Sequence, residues 1–265
     1  MEQRDLKGKT AIVTGSATGI GAATAIGLAE RGANVVVNFT KSEDDARHTA
    51  DAVRAAGAEA RLIQGDVARD EDCRRIAAAA KEAWGRIDIL VNNAGTTKFA
   101  SHADLDALSA EDFARIYRVN VIGAFQMVRA CATLLAAHGE GAVVNVSSIA
   151  GTHGIGSSVA YAASKGALNT MTMSLARALA PHVRVNAVCP GFVATRWFAN
   201  EFGTEAGERM AAEHKKTLPL DRVAGPEDIA RVVLFFAGPD SRNVTGETLL
   251  VDGGLHLTIG PAGFR

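Results

Sequence analysis

Short runs of β-branched and apolar residues alternate along this chain with longer, alanine-rich stretches of helical spacing, and that alternation narrows its possible folds sharply. The runs read as strands over Thr10 to Thr14, Asn34 to Asn38, Ala60 to Gln64, Ile87 to Val91, Ala142 to Val146, Val183 to Val188 and Thr248 to Val251. Most are continuously apolar, as strands covered on both faces must be. Right-handed βαβ crossovers then predict an α/β chain: one doubly wound, seven-stranded, mostly parallel sheet with helices on both faces. Helix starts are marked by Ser109 before Ala110-Glu111-Asp112 and by Gly225-Pro226-Glu227-Asp228. Each puts a cap, an early proline or acids where the first turn wants them. No repeat or compositional break marks a linker, so residues 1–265 are expected to form a single domain. Within it, the segment 192–220 follows Pro190-Gly191 and carries Trp197, Phe198 and Phe202, which predicts an inserted loop covering a substrate.

Composition excludes several classes of function. Lys plus Arg (28) nearly balances Asp plus Glu (29), so the footprint of a nucleic-acid binder or a membrane-surface binder is missing. Cys73, Cys131 and Cys189 lie far apart with no CxxC pair, and the seven histidines show no HxxxH or HExxH spacing; neither a disulfide framework nor a metal site is expected. The N-terminal residues lack the apolar core of a secretory leader, and no uncharged apolar run reaches a membrane span of about 18 residues. A cytoplasmic protein with no membrane or nucleic-acid partner is the expectation.

The first strand runs into Thr14-Gly15-Ser16-Ala17-Thr18-Gly19-Ile20-Gly21 and then a helix, so glycines stand where a backbone turns tightly beside a helix N-terminus. The spacing is GxxxGxG rather than GxGxxG. Asp66-Val67 follows the third strand and Asn92-Asn93-Ala94-Gly95 the fourth, both at strand ends that line the ligand crevice of a doubly wound sheet. Each could equally be an Asx turn in an ordinary loop. Together with Tyr161-Ala162-Ala163-Ser164-Lys165, the ordered set T-G-x-x-x-G-I-G, N-N-A-G and Y-x-x-x-K resembles the short-chain dehydrogenase/reductase family, over almost the whole chain.

That resemblance implies a Rossmann domain, a nicotinamide cofactor and a carbonyl or alcohol substrate. The loop carrying Gly15, Ser16, Thr18, Gly19, Ile20 and Gly21 would hold the pyrophosphate, Asp66 and Val67 would meet the adenine, and Asn93, Ala94 and Gly95 would flank the cofactor. Pro190, Gly191, Val193 and Thr195 would lie near the nicotinamide carboxamide. After the second strand, Asn38, Thr40, Lys41 and Ser42 precede any acid. An acid there would accept from the ribose hydroxyl of NAD and repel a 2′-phosphate, so its absence favours NADP, with NAD as the alternative.

Tyr161 and Lys165 stand four apart, on one face of a helix. A phenol titrating near 10 needs a shift of about 3 units, roughly 4 kcal/mol, to exchange protons near neutrality. One positive charge at about 4 Å offers a Coulomb term of about that size at an effective dielectric of 20, so Lys165 is expected to lower the Tyr161 pKa. In the resemblance Ser148 bonds the substrate oxygen, and the Asn120 side chain positions a proton-relay water, completing a tetrad. The activity so implied is interconversion of a secondary alcohol and a ketone, 3-oxoacyl reductases being the general comparison. Sugar, polyol or steroid-like alcohol dehydrogenases, and an idle nicotinamide-sensing binding protein, are the alternatives. Relatives of this kind commonly assemble as homotetramers through the helices bearing Asn120 and Tyr161. Whether the glycine-rich tail 255–265 reaches a neighbouring subunit is left open.

Overall fold

The computed structural model describes residues 4–258. The N-terminal triplet and residues 259–265 of the tail, with the question of its crossing to a neighbour, lie outside the described residues.

Seven strands form one sheet: β1 (Thr10–Val13), β2 (Asn34–Phe39), β3 (Ala60–Gln64), β4 (Ile89–Asn92), β5 (Gly141–Val146), β6 (Val183–Pro190) and β7 (Thr248–Val251). Their order is β3-β2-β1-β4-β5-β6-β7, and every pairing is parallel. The expected sheet is thus present, and entirely rather than mostly parallel. β4 begins at Ile89 instead of Ile87 because Asp88 turns its carboxylate to the Thr10 N–H and to Arg86.

Alternate residues of each strand feed opposite layers. Val13, Val37, Val91 and Val144 point into the apolar layer shared with Ile229, Val233 and Phe236. Ile12, Val36, Leu90 and Val143 join Ile76, Met127 and Leu135 on the other face. This two-sided burial explains the unbroken apolar runs. The covering helices are α1 (Gly19–Glu30), α2 (Glu43–Ala55), α3 (Asp70–Trp84), α4 (Ala110–Tyr117), α5 (Ala124–Ala136), α6 (Ala150–His153), α7 (Val159–Leu179), α8 (Arg196–Phe202), α9 (Thr204–Thr217) and α10 (Pro226–Ala237). The segment 192–220 is therefore two helices, α8 and α9, with short connections.

Ser109 caps α4 by accepting from the Asp112 N–H, and Asp228 accepts from the Gly225 N–H at the start of α10. A π-helical stretch, Arg118–Gly123, joins α4 to α5. The joined helix Ala110–Ala136 is long and apolar enough to cross a membrane by length and composition, but Arg115, Arg118 and Arg129 divide it into uncharged runs shorter than about 18 residues. Its α5 half places Met127, Val128, Cys131 and Leu135 in the core beside the sheet.

Candidate active site

Strand order reverses between β1 and β4, and the crevice opens at the C-terminal ends of these strands, where doubly wound sheets bind ligands. Gly15 and Gly19 have φ of 60° and 59°, in the left-handed region that glycine tolerates. A Cβ on Gly21 would stand 2.5 Å from both Asn93 Nδ2 and Gly15 O, so the turn closes only around a bare backbone. Thr14 Oγ1 accepts from the N–H groups of Asn93 and Ala94, while Asn93 Nδ2 donates to the carbonyls of Thr14 and Gly15. These bonds lock the β1 and β4 loops together. At the start of α1, Thr18 makes no side-chain cap and the first turn carries no acid. Its N–H groups and dipole are left for an anion, which fits the pyrophosphate of a dinucleotide.

Not every residue expected at the cofactor faces the cleft. Gly15, Thr18, Gly19, Ile20, Asn93, Ala94 and Gly95 line the cavity, but Ser16, Gly21 and Asn38 lie behind the loop. Ser16 Oγ donates to Val13 O and accepts from the Asn38 N–H. Asn38 Oδ1 accepts from the Gly15 N–H, while its Nδ2 donates to Ile63 O and Gly65 O. Their polar atoms support the loop from below. Thr40, Lys41 and Ser42 sit exposed between β2 and α2, and Asp66 and Val67 follow β3; none of the five lines the cavity. Asp66 Oδ1 accepts from the Ala68 N–H, as an Asx turn does, and Val67 is buried with its carbonyl bonded to Gln126.

At the reacting end, β5 delivers Ser148 and α7 delivers Tyr161 and Lys165. The Ser148 hydroxyl lies near the Tyr161 phenol and acts to lower its pKa, while Ser148 Oγ accepts from the Ala150 N–H. Lys165 is 4% exposed; its ammonium donates to Val146 O at 2.8 Å and stands 5.6 Å from the centre of the Tyr161 ring. A Cβ on Gly151 would meet Lys165 C at 2.5 Å, so glycine is what lets α6 press against α7 at this point. Burial pushes the Tyr161 phenol up to about 12, with Ser148 acting in the opposite sense. Burial likewise pushes Lys165 down to about 8. The expected lowering of the Tyr161 pKa by Lys165 is therefore corrected: loss of solvent dominates at the phenol, and Lys165 is not among the groups that shift it.

Asn120 is 1% exposed within the π-helical stretch. Its Oδ1 accepts from the Thr96 N–H, and its Nδ2 donates to Thr96 O and Ser164 Oγ. Both amide protons are consumed, so the side chain holds the loop after β4 against α7 instead of presenting its amide N–H groups to a relay water. Ser164 in turn donates to Tyr161 O. A Cβ on Gly95 would lie 3.6 Å from Asn120 Oδ1 and 3.8 Å from Lys165 Nζ, which places the three groups around one point.

One cavity of about 900 Å³ joins the two ends, lined by the glycine loop on one side and by Ser148, Tyr161 and Lys165 on the other. Pro190, Gly191, Val193 and Thr195 also line it. A Cβ on Gly19 would touch Thr195 Cγ2 at 3.5 Å, bringing the loop after β6 over the glycine turn. Two contributors were invisible in the sequence pattern. Phe99, from the loop after β4, faces the rings of Phe198 and Phe202, and Arg196 of α8 pairs with Asp45 of α2 at 2.9 Å. Neither has a local motif, since each is defined by a partner far away in the chain. Among the described residues no cluster of metal-ligating side chains occurs.

Comparison with known proteins agrees with this architecture. The enoyl-(acyl carrier protein) reductase family model matches residues 15–256. A Streptomyces violaceoruber protein named as ketoacyl reductase 2 of the granaticin polyketide synthase is 44% identical over 93% of this chain and 96% of its own length. The L-rhamnose 1-dehydrogenase (NAD(P)(+)) of Sphingomonas sp. strain SKA58 is 37% identical over 96% of this chain and 98% of its own. The 3beta-hydroxysteroid dehydrogenase 1 of Eggerthella lenta is 37% identical over 96% and 95%, respectively. A short-chain dehydrogenase/reductase structure from Burkholderia xenovorans superposes with a TM-score of 0.86 at 41% identity, covering 94% of this chain and 98% of that one. With a glycine cradle for a dinucleotide, a serine–tyrosine–lysine cluster at its far end and relatives matching almost end to end, the chain belongs to the short-chain dehydrogenase/reductase family of NAD(P)-dependent oxidoreductases.

Proposed function

We propose that this oxidoreductase interconverts a ketone and a secondary alcohol, with Tyr161 as the proton-transfer group. The observation that carries the reading is the single cavity that holds both the glycine cradle and the Ser148–Tyr161–Lys165 cluster. A bound reduced nicotinamide supplies the hydride that adds to the carbonyl carbon. Ser148 Oγ hydrogen-bonds the carbonyl oxygen as charge gathers there. Tyr161 Oη gives that oxygen its proton and takes it back when an alcohol is oxidised. With its pKa raised, Tyr161 is fully protonated at neutral pH, the form that a carbonyl reduction needs. Lys165 steadies the phenolate left after transfer. Asn120 acts as a positioning residue, through Thr96 and Ser164.

For the cofactor, NADP is the preferred reading and NAD the alternative. Lys41 forms no ion pair among the described residues, and of the three acids that follow, Glu43 and Asp45 are each neutralised by an arginine while Asp44 pairs with no cation among the described residues. A cation beside exposed Thr40 and Ser42 suits a 2′-phosphate. The segment 192–220 is read as the substrate cover, because Thr195 reaches Gly19 and Trp197 stands 6.4 Å from Tyr161, ring centre to ring centre. A homotetramer in the cytoplasm completes the proposal: three buried free thiols suit a reducing compartment, and apolar side chains remain exposed on α5 and α7.

The test is Tyr161→Phe. It should leave the fold and nicotinamide binding intact and lower turnover by roughly 100-fold or more; turnover at the wild-type rate would remove Tyr161 from the reaction.

A further inference from the structure

The relatives are named for ketoacyl, rhamnose and hydroxysteroid compounds, which do not choose among substrates. The wall of the cavity beyond Tyr161 does.

That wall is built of rings. Phe192 stacks on Phe198 with centres 4.6 Å apart and planes at 22°, and on His214 at 4.4 Å and 24°. Phe99 meets Phe202 edge-on at 4.8 Å. Trp197 stands beside Tyr161 at the reacting end. Burial lowers the His214 pKa, so its imidazole stacks as a neutral ring. These contacts hold the rings in place without covering them: Trp197 keeps 37% of its surface exposed and Phe202 46%, and both line the cavity. Uncovered aromatic faces inside a cleft next to a reacting group are contact surface for a ligand.

Polar partners are few by comparison. Ser157 Oγ is already bonded to Thr97 Oγ1 at 2.6 Å and Arg196 is paired with Asp45 at 2.9 Å, which leaves chiefly Ser101, Asn200 and His214 on this side. A polyol would need a partner for each hydroxyl it buries, and each one unmet costs about 1–3 kcal/mol. A long alkyl chain would be accepted by carbon walls but would lose rotational freedom on binding. A flat ring system has almost none to lose and gains the offset and edge-on contacts that aromatic faces offer.

We propose that the substrate is a ketone borne in or directly beside an unsaturated ring system, lying against Trp197 with its carbonyl at Ser148 and Tyr161. The inference rests on the reaction proposed above and adds the substrate class.

The experiment compares three probes: 2-tetralone and the acyclic ketone 2-decanone with the same number of carbons, each with NADPH and NADH, and L-rhamnose in the oxidising direction with NADP+ and NAD+. Binding is followed in parallel by quenching of tryptophan fluorescence on addition of 2-tetralone. The expected result is a kcat/KM for 2-tetralone at least about tenfold above that for 2-decanone, equivalent to ~1.4 kcal/mol, with L-rhamnose the poorest probe. Trp197→Leu should bring the ratio of the two ketones close to one. Trp197→Phe, which keeps an aromatic face, should preserve the ratio while removing the quenching. Equal or better use of 2-decanone, or faster oxidation of L-rhamnose, overturns the ring subsite and leaves the reaction standing. Saturable quenching that depends on Trp197, with no probe turned over, supports the subsite and overturns the reaction. Neither turnover nor quenching overturns both.

Discussion

The Lys165 ammonium donates to the carbonyl of Val146 at 2.8 Å, tying α7 to the last residue of β5. That bond keeps the charge beneath the Tyr161 ring, and burial brings its pKa down to about 8. The free-enzyme profile of kcat/KM for carbonyl reduction should therefore be level near neutrality and fall through a limb near pH 8, as the ammonium loses its proton. Lys165→Met should lower the level by roughly 100-fold and abolish the limb. A wild-type profile level up to about pH 10, the range of an ordinary phenol, would show that the Lys165 charge is not required.

The same shift has a stability consequence of definite sign. Burial holds Lys165 down at about 8 in the folded chain against an ordinary value of 10.5, so between these pH values the unfolded state holds more protons and the Lys165 contribution to stability rises with pH. Below about 8 the full cost of keeping the buried ammonium charged is present. The stability of Lys165→Met relative to wild type should accordingly fall as pH is raised across this window, read by denaturant titration at several pH values. A constant difference would contradict the burial argument.

Gly21→Ala tests the cradle. The new Cβ would stand 2.5 Å from Asn93 Nδ2 and from Gly15 O, and a backbone oxygen cannot swing aside. Overpacking of this sort costs about 1–3 kcal/mol, and displacement of the loop should weaken nicotinamide binding more than tenfold. Thermal melting and cofactor titration report the two effects separately. A variant with wild-type cofactor affinity would show that the loop does not contact the pyrophosphate.

Lys41→Ala should weaken NADPH by about tenfold, the size of one charge-assisted contact, while NADH changes less than about twofold. Equal losses for the two cofactors would remove Lys41 from phosphate recognition, and tighter binding of NADH to the wild type would reverse the preference.

Ile122, in the π-helical stretch before α5, and Phe125, at the start of α5, are 49% and 41% exposed, and Met173 on α7 is 44% exposed. Sedimentation at micromolar concentration should show an assembly larger than a monomer, and Phe125→Glu should dissociate it, because a carboxylate buried between subunits lacks a partner. A monomeric wild type would refute the assembly.

Much of the fold was legible because strand periodicity and glycine position are local. Val35-Val36-Val37 reads as a strand buried on both sides whatever lies beside it, and Gly15, Gly19 and Gly21 mark a turn that side chains cannot make. Tyr161 and Lys165 were legible for a similar reason, since four residues of helix put them on one face. Helix boundaries after β6 were less clear: Gly203, with φ of 85°, divides α8 from α9 where composition alone shows one charged excursion.

The sequence by itself determined the layer architecture, which follows from spacing along strands and helices, while the cofactor loops and the proposed proton-transfer residues Ser148, Tyr161 and Lys165 came from the resemblance that the ordered motifs carry. Only the tertiary structure decided which of those residues face the cleft. It turned Ser16 and Asn38 inward to hold the glycine loop, and it used both amide protons of Asn120. It also set the sign of the Tyr161 and Lys165 shifts, because burial is a sum over neighbours from β5, β6 and α7 that no spacing contains. The aromatic wall belongs to the same category: Phe99 and Phe202 are over a hundred positions apart, and only packing makes them one surface.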